Sequence, residues 1–500
     1  MSPPPSPSGD PSPADGRRLR IGLLALLGAL AALRLLAAGG IPLTEDEAYY
    51  RLWAQAPRLG YYDHPPMIAW WIWAGVRVAG DTALGVRLLP VAASLVSTLL
   101  VFDLGQRLPG RRSGLTAALL YNATLTVAAG SILAVPDVPA SLFWLLALWA
   151  MARALERPVF WLGAGAAAGL ACLSKYSALF LAPGAVLWLA FTPEGRRALR
   201  TPWPWLAAGM AAAIFSLNVA WNAQHHWLTF AKQFGRVGAS RFAPRYLGEF
   251  LGAQFVLLNP LVAVLAGAGV ARAWKERSSE AGDRIGLMAL LTSLPFVAYL
   301  LLHSLHDRVQ AHWPVPLYAG VALLAALAVV GAARGWRPGF ARFAPMGLAL
   351  CAIGLGYMSL PHSLLPNGDP ADILRGWPAL AEQVEGVGEA HGAAWVGTLS
   401  YGVDGLLQAQ PGLRLPAVQL DERDRWADLP PSRADLSKPG LVVDLKRRFD
   451  PARLKACFAT VGPPTEIVRG LGRGSDSRYV AAPVSGARPG LLTQGCDTGG

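Results

Sequence analysis

Apolar residues along this chain run in long blocks rather than in short alternations. Stretches such as Ile21–Ile41, Leu88–Leu104, Val138–Leu155 and Leu317–Val330 carry almost no charge. Their lengths approach the roughly 20 residues needed to cross ~30 Å of hydrocarbon as a helix. The pattern predicts helices over 21–41, 86–105, 114–133, 138–155, 159–173, 177–192, 203–222, 249–271, 284–303, 313–332 and 344–361. The Trp-rich segment 66–78 is too short to span and reads as a helix at the outer interface, where amphipathic aromatics are favoured. Such blocks are too numerous for one signal peptide, and the first lacks a cleavage-like exit. The expected fold is an all-α polytopic membrane protein with about 11–13 transmembrane helices.

The ends of the chain read differently. Residues 1–16 are rich in Pro and Ser and are expected to form a disordered cytoplasmic tail before a membrane domain over 17–361. Beyond 362 hydropathy falls, Gly, Pro and charge rise, and strand-like runs appear ("AAWVGTL", "GLVVDL"). Residues 362–500 therefore read as a small soluble α/β or α+β domain.

Composition agrees, with 53% hydrophobic and only 15% charged residues in 500, where a soluble chain carries about a quarter charged. The net charge of +12 would suggest nucleic acid in a soluble protein. Its distribution argues otherwise. Basic clusters at Arg17/Arg18/Arg20, Arg107/Arg111/Arg112, Arg153/Arg157, Arg196/Arg197/Arg200, Arg272/Lys275/Arg277 and Arg334/Arg337/Arg342 recur after every second apolar block. That periodicity places these loops in the cytoplasm. It puts 42–85, 134–137, 174–176, 223–248 and 304–312 outside, together with the terminal domain if the helix count is odd. Cys172 and Cys351 fall in apolar segments. Cys457 and Cys496 lie in the terminal domain, where an oxidising compartment would allow one disulfide. Neither a CxxC nor a His/Cys zinc spacing occurs.

Unusual polar residues gather in the outer stretches. Leu43–Trp71 packs four carboxylates, one histidine and four tyrosines into "LTEDEAYYRLWAQAPRLGYYDHPPMIAWW". Thr44 and Glu47 fit a capping box opening a short helix. Asp46 is not needed for that, nor is Asp63–His64, fixed by Pro65 and Pro66. A carboxylate partly screened from water at the membrane surface suits general-base work. In "LAVPDVPAS", Asp137 reads alone as a helix cap, and together with Asp46 as a convergent acidic site. Lys175 interrupts about thirty apolar residues on the outer side, where a phosphate would explain it. Further along stand His225, His226, Lys232, Arg236 and Arg241, then His303, His306, Asp307, Arg308 and His312. Six of the eight histidines lie in these outer stretches or in Asp63–His64. The concentration points to an anion site, a divalent metal cation, or both; Asp63, His225 and His226 are the candidate metal ligands. Arg34, inside the first span, either snorkels or faces the same cavity. These residue types suit substitution at carbon with a phosphate leaving group, the acid taking a proton from an incoming hydroxyl.

Taken in order, "EDEAYY" after the first helix, "YYDHPP" about fifteen residues on, "PD" opening the fourth helix, "LSKYSALFLAPG" and "RVQAHWPVPLY" resemble the family 39/83 glycosyltransferases. These are the protein O-mannosyltransferase and aminoarabinose (lipid A) transferase relatives, of GT-C fold, and the resemblance runs from roughly 20 to 335. It implies transfer of a sugar from a polyprenyl-phosphate carrier to a lipid A, glycan, glycolipid or protein acceptor, usually with inversion, at the periplasmic face of the bacterial inner membrane. It implies Asp46 as catalytic base, Asp137 as a second acid positioning acceptor or base, and Lys175 and Arg236 as carrier-phosphate ligands; by residue type Glu47 joins the catalytic acids, and Arg308 and His64 the phosphate ligands. His64 departs from the family, which has a lysine there, and "AHWPVP" stands where aminoarabinose transferases have an Arg-Pro pair. A transporter or flippase would place such groups near the bilayer midplane in repeated halves. A lipid-linked polysaccharide polymerase would carry a large late outer loop. Neither pattern is present in the sequence.

Overall fold

The computed structural model describes residues 13–110, 112–235, 242–277, 284–329, 336–365, 369–426, 429–470 and 477–496. Helix α1 (Pro13–Gly40) is followed by the short α2 (Glu45–Trp53) and α3 (Met67–Ala79). Next come α4 (Ala83–Gln106), α5 (Ser113–Asn122), α6 (Leu125–Gly130), α7 (Asp137–Ala154) and α8 (Phe160–Cys172). A 3₁₀ turn, Tyr176–Phe180, leads into α9 (Leu181–Phe191), α10 (Pro193–Leu199), α11 (Trp203–Gln224) and α12 (Leu228–Gly235). The helical run closes with α13 (Arg245–Leu257), α14 (Pro260–Lys275), α15 (Arg284–His303), α16 (Tyr318–Val329), α17 (Trp336–Phe343) and α18 (Met346–Met358).

Most predicted spans recur, but several are broken. Among the described residues, five helices are long and apolar enough to cross a membrane, or seven if each of two sharply bent pairs is one span. Some stretches read as one span divide. Residues 114–133 split into α5 and α6, and 249–271 into α13 and α14, bent by 103° at Asn259–Pro260. A residue before proline is pushed out of the helical region, and Asn259 takes φ 67°. Helices α3 and α8, of 13 residues each, extend only about 20 Å.

The chain divides by packing into two units. The first comprises residues up to Leu36 and Leu88–Gly354; the second comprises Ala37–Arg87 and Leu355–Gly500. The core of the first is built largely of alanine and leucine, with some aromatic residues, from α5, α7, α8, α14, α16 and their neighbours. Glycines allow its helices to touch: a Cβ on Gly165 would lie 2.2 Å from the Ala207 carbonyl oxygen, and one on Gly269 1.8 Å from that of Leu324.

The second unit joins Ala37–Arg87 to the C-terminal residues. After α19 (Trp377–Ala390) and α20 (Tyr401–Gln408) come α21 (Pro451–Cys457) and α22 (Leu491–Gln494). Its strands are β1 (Val396–Thr398), β2 (Ala417–Gln419), β3 (Gly440–Leu445), β4 (Phe458–Val461), β5 (Thr465–Val468) and β6 (Arg478–Ala487). They form one mixed sheet in the order β2-β1-β3-β6-β4, with β5 also on β6. The runs expected to be strands are β1 and β3, parallel to each other in the centre. Both are buried along their length, as two-sided burial requires. Cys457 and Cys496 are disulfide-bonded.

Candidate active site

In the second unit α2 opens as its sequence dictates. Thr44 Oγ1 accepts from the Glu47 N–H at 3.3 Å, and Glu47 Oε2 accepts from the Thr44 N–H at 3.0 Å, completing the capping box. The same Glu47, fully buried, takes both ends of a guanidinium: Arg87 Nε donates to Oε1 at 2.7 Å and Nη2 to Oε2 at 2.6 Å. Arg87 also donates to the carbonyls of Ala38, Ile41 and Pro42, the orphan acceptors where α1 ends. Removing one partner of such a buried pair leaves an uncompensated charge, at a cost of about 3–5 kcal/mol. Glu47, which the sequence grouped with the catalytic acids, is committed here to a buried pair with Arg87.

Asp46, one residue earlier in the positive first turn, is exposed. Its Oδ1 accepts from the Tyr401 hydroxyl at 3.1 Å. Burial first, and then the Asp46 carboxylate, push the Tyr401 phenol well up, so it remains a donor. Tyr401 opens α20, which packs directly on α2. A Cβ on Gly405 would lie 2.9 Å from backbone atoms of Ala48 and Tyr49, and one on Gly402 2.8 Å from the Glu45 carboxylate. The G-x-x-G spacing in "YGVDG" is therefore what brings Tyr401 to Asp46, a signal the sequence reading passed over.

Asp63 is buried beside this pair. Its Oδ2 accepts from Tyr49 OH at 3.0 Å and from Arg425 Nη1. The Arg425 guanidinium lies 4.6 Å from the Tyr401 ring centre and 5.5 Å from that of Tyr62, and it also pairs with Glu422. Arg425 was not singled out from the sequence, 362 positions from its partner. His64 offers its backbone carbonyl to Tyr61 N–H and its ring to Tyr50, at 6.1 Å.

The first unit holds a second acid–base group. Asp137 is the first residue of α7 and not its side-chain cap, since Pro136 occupies the cap position. It is buried, its Oδ1 accepts from Lys175 Nζ at 2.6 Å, and its Oδ2 lies 3.9 Å from His312 Nε2. Lys175 sits in an extended break between α8 and the 3₁₀ turn, which explains why the helix stops where the apolar run is interrupted. Arg308 pairs with Glu249 at the surface. His225 stacks on Trp221 at 4.1 Å, and its Nδ1 lies 2.7 Å from the Trp221 carbonyl, which requires a proton on Nδ1. His226 takes φ 54°. Arg34 is fully buried, donating to Ser94 and Asn122. Arg236 and Arg241 lie outside the described residues. Among the described residues no group of three or more His, Cys, Asp or Glu is placed to hold a metal ion. Asp63 has a guanidinium against it, a poor setting for a cation.

Sequence and fold resemble those of known proteins. Residues 63–221 match the family described as dolichyl-phosphate-mannose-protein mannosyltransferase. The chain is 31% identical over 361 residues to the lipid A galacturonosyltransferase RgtD of Rhizobium johnstonii, covering 68% of this chain and 72% of that one. Over 158 residues it is 34% identical to the undecaprenyl phosphate-alpha-4-amino-4-deoxy-L-arabinose arabinosyl transferase of Pseudomonas aeruginosa strain LESB58, covering 28% of this chain and 29% of that one. Its fold matches the crystal structure of ArnT from Cupriavidus metallidurans bound to undecaprenyl phosphate, with a TM-score of 0.65 at 14% identity, covering 92% and 98% of the two chains.

Proposed function

This chain belongs to the family 39/83 glycosyltransferases of the GT-C superfamily, and on that premise we propose that it moves a sugar from a polyprenyl-phosphate carrier to a lipid A-type acceptor, with Asp46 as general base. Relatives named for lipid A and for undecaprenyl-phosphate-linked sugars support both substrates. One observation carries the choice of base. Of the three acids in the first turn of α2, Glu47 is fully buried on Arg87 and Glu45 is half-buried, while Asp46 alone is exposed.

In this reading the Asp46 carboxylate takes the proton of an acceptor hydroxyl as its oxygen bonds to the anomeric carbon. The bond from that carbon to the carrier phosphate oxygen breaks, and the electron pair leaves with the phosphate, inverting the centre. The Tyr401 hydroxyl, donating to Oδ1, holds the Asp46 carboxylate in orientation. Lys175, paired with Asp137 in the first unit, keeps the phosphate role that the resemblance implies. The disulfide between Cys457 and Cys496 and the basic loops support an inner-membrane protein whose second unit faces an oxidising periplasm.

The test is mass spectrometry of lipid A from cells with and without the gene, complemented by wild type or by Asp46→Asn at matched expression. One glycosyl group is expected to disappear with the gene and to return only with wild type, since a general base contributes about 10²–10⁴-fold. Full rescue by Asp46→Asn would remove Asp46 from the role. Unchanged lipid A with a sugar lost from another envelope glycan would move the acceptor.

A further inference from the structure

The 3₁₀ turn Arg423–Trp426 has two faces. Residues three apart eclipse in such a turn, so Arg423 and Trp426 share a side while Arg425 points elsewhere, to Asp63. Behind the Arg423–Trp426 side lies a cavity of about 480 Å³, bounded by α2, α20 and the edge strand β2. Its size falls within the range of small-molecule sites, roughly 300–1,000 Å³.

Its walls carry polar atoms without partners. The Gln419 side chain is 98% buried (2% exposed), yet neither its Oε1 nor its Nε2 makes a hydrogen bond. The Trp426 indole Nε1 is buried and equally unpartnered. Buried polar groups are nearly always satisfied, and leaving them unmade costs stability. A carboxamide presents a donor and an acceptor side by side, the complement of two adjacent hydroxyls. Trp426, Pro430 and Pro431 supply flat apolar faces beside it.

Charge narrows the ligand further. Arg423 and Arg433 both line the cavity. Arg423 is braced by donating to the Leu492 carbonyl at 2.7 Å and to that of Gln419. Among the described lining residues the carboxyl is Asp404, which accepts from Gln408 Nε2 at 2.7 Å and meets Thr398. Burial pushes it up to about 7, so at neutral pH it is about half ionised and leaves the two arginines in excess.

We propose that this cavity is a saccharide-binding site for a hydroxyl-rich, anionic sugar, with Gln419 and Trp426 Nε1 reading hydroxyls and Arg423 and Arg433 the acidic group. It is separate from Asp46, stands on its own atoms and requires no transfer activity, so it survives or fails independently of the proposed reaction. The acidic group is either a sugar carboxylate or a sugar phosphate, which share the same complement.

Saturation-transfer NMR on the purified full chain in detergent, with galacturonic acid, glucose 1-phosphate and galactose as separate probes, tests it. At least one anionic probe is expected to receive saturation, galactose at least about tenfold less, and the stronger anionic probe identifies which acid is read. Gln419→Leu is expected to abolish the signal while melting at or above the wild-type temperature, because it removes two unsatisfied groups. Trp426→Phe keeps the ring and is expected to weaken binding about tenfold, the loss of one hydrogen bond. The site is overturned if neither anionic probe binds wild type, if galactose binds equally well, or if Gln419→Leu binds as wild type does. A marked fall in melting temperature for Gln419→Leu, with binding retained in Trp426→Phe, would also overturn it and make the glutamine structural.

Discussion

Four acids of the second unit, chemically alike, are put to different uses by their surroundings. Asp46 is exposed, Glu47 is neutralised by Arg87, Asp63 by Arg425, and Asp404 is buried without a cation in contact. The capping box was legible because it depends on residues three apart. Which neighbouring acid would be buried was not legible, because Arg87 lies forty positions on. Asp404 has a measurable consequence. Its folded pKa of about 7 lies above the ordinary value of 3.8, so between those values the folded chain keeps a proton that the unfolded chain gives up. The stability this group contributes is complete below about pH 4 and falls by about 1.4 kcal/mol per pH unit up to about pH 7. Asp404→Asn keeps both hydrogen bonds without the charge. Its melting temperature is expected to pull ahead of wild type as pH rises from 4 to 7 and then to hold a constant lead. Parallel melting profiles across that range would show that Asp404 is ionised in the folded state.

Among the elements, the apolar blocks foretold where helices lie far better than whether each is continuous. The bend between α13 and α14 turns on Asn259, whose Oδ1 accepts from the Leu261 N–H while Nδ2 donates to the Ala123 and Ala344 carbonyls. The Asn-Pro step was visible in the sequence, but the hydropathy of 249–271 outweighed it. Alanine here loses the cap and two bonds and must still adopt φ 67°, which glycine adopts freely. Asn259→Ala is expected to destabilise by about 2–4 kcal/mol. Asn259→Gly should cost about 1 kcal/mol less, as it escapes the strain but not the lost bonds. Thermal melts in detergent decide the order, and equal melting of the two variants would mean that backbone strain at 259 is negligible.

At the scale of the whole molecule, hydropathy separated a membrane part from a terminal domain near residue 361. Packing draws another line, grouping Ala37–Arg87 with Leu355–Gly500. The second unit is closed near its end by Cys457–Cys496, whose 39-residue separation corresponds to about 3–4 kcal/mol in the chain-entropy account. Reductant, or serine at both positions, is expected to lower stability by about that amount, read as an earlier transition in thermal melts. Alkylation of Cys457 and Cys496 in denatured, unreduced protein from the envelope would show the bond to be absent in cells.

By itself the sequence determined the membrane class, the position of most helices, the cap of α2, the two central strands and the family. Each of these rests on local periodicity, on residues a few positions apart, or on motifs kept in order. Only the tertiary structure decided that Tyr401 meets Asp46, that Arg425 takes Asp63, that Glu47 is spent on Arg87 and that the Gln419 carboxamide is left without a hydrogen bond. Those outcomes depend on which surfaces pack together. Glycines at 402 and 405 permit that approach, but nothing within either local segment names its partner some 355 residues away.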